Sequence, residues 1–237
     1  MEASFAITPD IAAELAAELA AKLDMRLDPA AAAGEGAAVP LPEPDLHYLA
    51  ARTALFSPGE DAGKVYEVTQ GVLMITRLLP DGRRQILDIA GAGRVIGLTW
   101  SDAHDCAAIA LRDSIVRRHD SNGSSAVALN AARFADALFG EVHRLRNLAT
   151  ALGRKTATER LAGFLLDLAG EDADPPVRID LPVTRNEIAD HLGLALETVS
   201  RTFSRLRRDG IMRIETSQKL TILDRAALRR LADGGPF

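Results

Sequence analysis

Between positions 197 and 208 the 237-residue chain places Glu197, Ser200, Arg201, Ser204, Arg205 and Arg208 at steps of three and four. That spacing lines side chains along one face of an α-helix. These groups are hydrogen-bond donors and acceptors rather than an acid–base or nucleophile set. Arginine donates two bonds to O6 and N7 of guanine, a carboxylate accepts from N4 of cytosine, and a hydroxyl bonds either way. Each good bidentate pair discriminates between bases by about 1–3 kcal/mol. Arg205 and Arg208, further along the face, suit phosphate oxygens instead. The net charge of −5 argues against a nucleic-acid partner until its distribution is read: between Arg201 and Arg213, Arg201, Arg205, Arg207, Arg208 and Arg213 stand against Asp209 alone. Basicity concentrated in one segment is what phosphate contacts require.

The elements that must position this face can be read on either side of it. Thr184-Arg185-Asn186-Glu187 fits a capping box opening a helix with Ile188, Ala189 and Leu192 turned inward, and Gly193 closes it. A second helix runs from about Leu196 to Arg208 and stops at Asp209-Gly210, with Val199, Phe203 and Leu206 on its inner face. Two short helices joined at a glycine predict a helix-turn-helix, with Glu197, Ser200 and Arg201 as base readers. Thr184, Arg185, Ser204, Arg205 and Arg208 are the expected phosphate contacts. Ile211–Ile214 and Leu220–Leu223 flank a polar turn and predict a β-hairpin wing, after which Asp224 caps a final short helix. A solvated helix face is the bland alternative for the arginines, but it leaves the turn and the wing without a purpose.

Upstream, residues 131–152 carry Ala135, Leu138, Val142, Leu145, Ala149 and Leu152 in an a/d seam about three heptads long. So short a seam needs a partner, which predicts a symmetric homodimer. A further helix is expected from Lys155 to Ala169, ahead of the acidic, proline-containing residues 170–176. From about 55 to 120 short β-prone runs alternate with turns, including Pro80-Asp81-Gly82, the pattern of a barrel or roll. Residues 8–27 have Ile11, Leu15, Leu19, Leu23 and Leu27 at helical spacing and predict an amphipathic helix that packs on its own domain; 28–44 reads as a linker. The expected division is therefore 1–44 helix and linker, 45–130 roll, 131–170 dimerisation helix with its successor, and 171–237 winged helix-turn-helix, an α+β chain overall.

Composition narrows the function further. With 47% hydrophobic residues the chain can bury more than one core. It has no apolar run of membrane-spanning length and no basic leader, so a cytoplasmic protein without a membrane partner is expected. Cys106 is the sole cysteine, which rules out an intrachain disulfide and a four-thiolate metal or iron–sulfur site within one chain. No nucleophile–base–orienter set is visible, so no enzyme and no metal site are expected. His104-Asp105-Cys106 leaves an alternative open, with His104 or Cys106 as haem ligand or thiol switch; a loop residue pair is the plainer reading.

Thr184-Arg185-Asn186-Glu187-Ile188-Ala189-Asp190-His191-Leu192-Gly193-Leu194 followed by Glu197-Thr198-Val199-Ser200-Arg201 resembles the CRP/FNR family of transcription regulators, and within it the FNR/FixK branch. The resemblance extends over about residues 45–232, through Pro58-Gly59-Glu60, Gly71, Gly82-Arg83, Gly93, Gly97 and Glu159-Arg160-Leu161-Ala162. It implies a cyclic-nucleotide-binding-like β-roll, a long dimerisation helix and a C-terminal winged helix-turn-helix. It also implies that Glu197, Ser200 and Arg201 read TTGAT-type half-sites of a palindromic promoter, with RNA polymerase as a further partner.

Departures from the family pattern specify the expected sensor. Cyclic-nucleotide binders have Glu after the counterpart of Gly97 and an Arg-Ser or Arg-Thr pair for the phosphate, where this chain has Leu98 and Asp105-Cys106. A carboxylate at that position repels a phosphate. The iron–sulfur branch needs cysteines that residues 1–55 lack, and Arg117 stands at its roll position. What remains resembles FixK, a cofactor-free regulator of microoxic respiration or nitrogen-fixation genes, although Thr184 stands where some FixK proteins have an oxidisable cysteine. The alternative is a haem- or small-ligand-dependent sensor of the same family, for instance in denitrification or the response to NO. Ala195 also replaces the Thr or Ser that often caps the recognition helix, at a cost of about 1 kcal/mol.

Overall fold

The computed structural model describes residues 45–99, 101–120, 124–170 and 175–235, with the backbone alone at 120 and 124–136. The helix expected over 8–27 and its linker lie outside these residues, as does the side chain of Ala135. The chain divides into two compact units, Met1–Leu73 with Ala90–His143, and Met74–Ile89 with Arg144–Phe237.

Eight short strands make the N-terminal part: β1 (Leu46–Leu49), β2 (Ala54–Phe56), β3 (Lys64–Gln70), β4 (Val72–Leu78), β5 (Arg84–Gly91), β6 (Val95–Ile96), β7 (Ala107–Ala110) and β8 (Ser114–Asp120). They form two four-stranded sheets, ordered β1-β8-β3-β6 and β2-β7-β4-β5. In the first sheet β8 pairs antiparallel with β1 and β3, setting Val116 opposite Val68. Both are fully buried, whereas Ile115 and Arg117 on either side are half-exposed, the period-two alternation of a one-sided sheet. Gly71 joins β3 to β4 at φ 91°, and a Cβ there would lie 2.1 Å from Ser114 Oγ. That hydroxyl accepts from Val72 N and donates to the Arg112 carbonyl, so a larger residue would displace a used hydrogen-bond partner. Pro80-Asp81-Gly82 makes the expected turn between β4 and β5, with Gly82 N donating to the Leu79 carbonyl. Strand β1 lies ahead of the region in which the sequence pattern predicts strands.

Helix α1 covers Ser124–Arg154, starting earlier than the expected residue 131. Helix α2 (Ala157–Ala169) opens on a second capping box, Thr156 with Glu159, and buries Leu161, Ala162, Phe164 and Leu165. Then follow β9 (Val177–Asp180), α3 (Arg185–Leu192), α4 (Leu196–Arg208), β10 (Met212–Ile214), β11 (Lys219–Ile222) and α5 (Arg225–Ala232). The wing hairpin β10–β11 gains a third strand, β9, which pairs with β11 and inserts Val177 and Ile179 into the core. Asp224 accepts from Ala227 N and caps α5, as its position predicts. Among the described residues no helix is long and apolar enough to cross a membrane.

Candidate nucleic-acid interface

Helix α3 begins where the capping box predicts. Thr184 Oγ accepts from Glu187 N, while the Glu187 carboxylate accepts from Thr184 N at 2.7 Å and from Thr184 Oγ at 3.0 Å. Glu187 is buried and tolerates burial because these bonds satisfy its charge. The Thr184 hydroxyl is thus engaged in the cap itself. Gly193 ends α3 in the left-handed conformation, φ 61° and ψ 43°, with its N–H bonded to the Ala189 carbonyl. The left-handed backbone favours glycine at 193, where a Cβ would come within 3.1 Å of Leu152 Cδ2. Ala195, at the N-cap of α4, makes no side-chain cap bond, the consequence expected of its departure from the family pattern.

Helix α4 buries Val199, Thr202, Phe203 and Leu206 and turns its opposite face to solvent. On that face Glu197, Ser200, Arg201, Ser204, Arg205 and Arg208 line one shallow depression. All six sequence-predicted residues of this helix are therefore brought together. Arg201 is 77% exposed and donates to Glu197 at 2.5 Å, one helical turn away. An exposed i,i+4 pair is worth about 0.3–0.5 kcal/mol, less than a bidentate base contact, so it can open when base edges arrive. Ser204 Oγ donates to the Ser200 carbonyl at 2.9 Å, and Arg205 and Arg208 share Asp209 at 3.8 and 3.9 Å. Arg185 is placed differently from the rest: its guanidinium lies 5.0 Å from the centre of the buried Phe203 ring, a cation–π contact that ties the start of α3 to α4.

Arg160, which the sequence pattern did not mark as a site residue, holds this pair of helices in place. Its guanidinium donates to the carbonyls of Lys155 (2.8 Å), Leu192 (2.9 Å) and Leu152 (2.8 Å), joining the ends of α1 and α3 to α2. The only signal in the sequence was its place in Glu159-Arg160-Leu161-Ala162. In the wing, Thr221 Oγ donates to Glu215 at 2.7 Å, and this bond, with Arg213 nearby, holds the Glu215 carboxyl below its ordinary range.

The remaining predicted residues fall into three places. On α1, Val142 and Leu145 are exposed and Leu138 half-exposed, together with Phe139, which the seam pattern omitted. Ala149 is exposed, whereas Leu152 lies against Gly193. His104 lies in the loop before β7, as the plain reading has it, but is buried there: it is 4% exposed and stacked on Phe56 at 3.8 Å between ring centres, and burial lowers its pKa. Cys106 is half-buried at the edge of β7. Arg117, at the roll position of the iron–sulfur branch, forms an ion pair with Glu67 at 3.0 Å. Among the described residues no group of three or more His, Cys, Asp or Glu side chains is placed to hold a metal ion.

Comparison with known proteins places this geometry. Residues 159–231 match the Crp-like helix-turn-helix domain family and residues 46–127 the cyclic nucleotide-binding domain family. The nitrogen fixation regulation protein FixK of Azorhizobium caulinodans is 35% identical over 77% of this chain and 77% of its own length. The transcriptional activator protein FnrL of Cereibacter sphaeroides is 32% identical over 79% and 82%. Among solved structures, FixK2 from Bradyrhizobium japonicum superposes with a TM-score of 0.71 at 33% identity, covering 78% of this chain and 96% of that one. The two matched domains, the helix-turn-helix with its open reading face and the FixK relatives agree: the chain belongs to the CRP/FNR family of DNA-binding transcription regulators and is FixK-like within it.

Proposed function

We propose that this regulator binds TTGAT-N4-ATCAA-like palindromes as a homodimer, works with RNA polymerase as an activator, and controls microoxic or anaerobic respiration or nitrogen-fixation genes. The observation that carries the reading is the α4 face, where Glu197, Ser200 and Arg201 share one exposed surface with Arg205 and Arg208. Arg201 donates to guanine, Glu197 accepts from cytosine, and Ser200 bonds a neighbouring base edge. Arg205 and Arg208 hold phosphates and fix the register. One α4 covers only half a palindrome, so two copies are needed, and the exposed Phe139, Val142 and Leu145 offer the apolar surface that joins them.

The regulator is proposed to be cytoplasmic and to act without a cofactor. His104 supports this, because a ring stacked on Phe56 inside the roll is committed to packing. The exposed Asp105 supports it as well, being a carboxylate where relatives that bind cyclic nucleotides present a cation. The test is the affinity of the purified protein, with nothing added, for TTGAT-N4-ATCAA duplex against a scrambled duplex at fixed salt. Tight and selective binding is the expected result; binding that appears only with haem or another small ligand would replace it with the effector-dependent alternative.

A further inference from the structure

The second unit contains a cluster of polar contacts that the reading face does not use. Arg84, at the start of β5, donates from Nε and Nη2 to Asp190 Oδ2 at 2.9 and 2.6 Å. Gln85 Nε2 donates to the His191 carbonyl at 3.3 Å, and His191 Nδ1 donates to the Ile86 carbonyl at 3.1 Å. The His191 imidazole also packs on Phe164 of α2, with ring centres 5.7 Å apart. Arg84 and Asp190 are both mostly covered, so their attraction is screened less than that of the exposed pairs on α4. Three successive residues of the β4–β5 hairpin thus grip two successive residues of α3.

Helix α3 cannot shift without α4. Ile188 and Leu192 pack in one core with Val199, Phe203 and Leu206, Gly193 makes the turn between the helices, and Arg185 sits over Phe203. On the helix side the hairpin contacts fall on Asp190 and His191 of α3, which lie off the reading face of α4. We propose that Arg84 and Asp190, flanked by Gln85 and His191, are positioning residues for DNA reading: the hairpin latches α3 and so fixes α4 with its reading face free. The chain enters this hairpin from Leu73 and leaves it at Ala90, both residues of the first unit. The inference deepens the DNA-reading assignment and rests on it.

The test combines duplex affinity with amide hydrogen exchange of residues 185–193 in the DNA-free full-length protein. Arg84→Ala and Asp190→Ala should each weaken selective binding by about tenfold, within the range of coupled neighbours, and each should speed exchange in α3. The exchanged pair, Arg84→Asp with Asp190→Arg, should restore both readouts. A pair acting only through its charge on DNA gives opposite signs, weaker binding without the arginine and tighter without the aspartate, with exchange unchanged; that result overturns the proposal. So does tighter binding by both single variants, which would make the contact inhibitory. Wild-type protein that fails to distinguish the duplexes counts against the DNA-reading assignment alone, and α3 exchange then still sustains or sinks the latch.

Discussion

Helices α1 and α4 each present an exposed patch, and the two patches have opposite chemistry. On α1 the exposed large hydrophobic side chains are Phe139, Val142 and Leu145. On α4 the patch comprises Glu197, Ser200, Arg201, Ser204, Arg205 and Arg208, with Val199, Phe203 and Leu206 turned inward. Water penalises the first face and solvates the second, so the first asks for an apolar partner and the second for a charged, hydrogen-bonding one. On the function proposed above, a second copy of the chain meets the first demand and duplex DNA the second. The comparison also separates two kinds of energetic weight, because a seam residue acts on both half-sites at once whereas a reading residue acts on one base pair.

Leu145→Asp breaks the apolar side of the comparison and should have the largest effect. A charge placed in the seam lacks a partner, so sedimentation should report monomers. Duplex affinity should fall about 10²–10⁴-fold as bivalent binding is lost. An unchanged dimer would move the interface off α1. Arg201→Ala attacks the other face and should remove preference for the guanine of the half-site, a loss of about 1–3 kcal/mol seen as equal affinity for guanine-substituted duplexes. Arg208→Ala sharpens the division within that face. It should weaken all sequences alike and lower the slope of log affinity against log salt by about one; sequence-blind losses of equal size for both arginines would erase the distinction between reader and anchor.

The smallest effect concerns the packing behind α3. Burial lowers the pKa of His191 below its ordinary 6.5, although the Ile86 carbonyl, Asp88 and Asp167 act in the opposite direction. The unfolded chain therefore takes up this proton at a higher pH than the folded one. Its contribution to stability is complete above 6.5 and is lost as pH falls through the lowered folded value. His104, buried against Phe56, has the same sign. The urea midpoint should thus decline from about pH 7 to pH 5, and less steeply in His191→Asn. A flat midpoint in the wild type would contradict neutral, buried imidazoles.

Much of the fold was legible because its signals are local. The Thr184–Glu187 capping box, the Gly193 turn, the wing and the Asp224 cap each depend on residues within a few positions of one another. Strands β1 and β9 were missed although Val177-Arg178-Ile179-Asp180 alternates plainly, because four residues give little periodicity and their pairing partners lie far along the chain. Phe139 was left out of the seam because a strict a/d pattern has no place for it. The burial of His104 within its loop was not legible, since it depends on Phe56, which lies 48 positions earlier.

The sequence by itself determined the two helices of the reading motif, the chemistry of the α4 face, and the absence of a thiolate set for an iron–sulfur cluster within one chain. These follow from side-chain type and short-range periodicity. Only the tertiary structure decided that Arg160 joins three chain segments through their carbonyls, that Leu152 closes on Gly193, and that Arg84 grips Asp190, 106 positions away. Such contacts join residues distant in sequence, and a hydrogen bond to a backbone carbonyl places no demand on the identity of the accepting residue. Nothing in the order of amino acids marks them until the chain has folded.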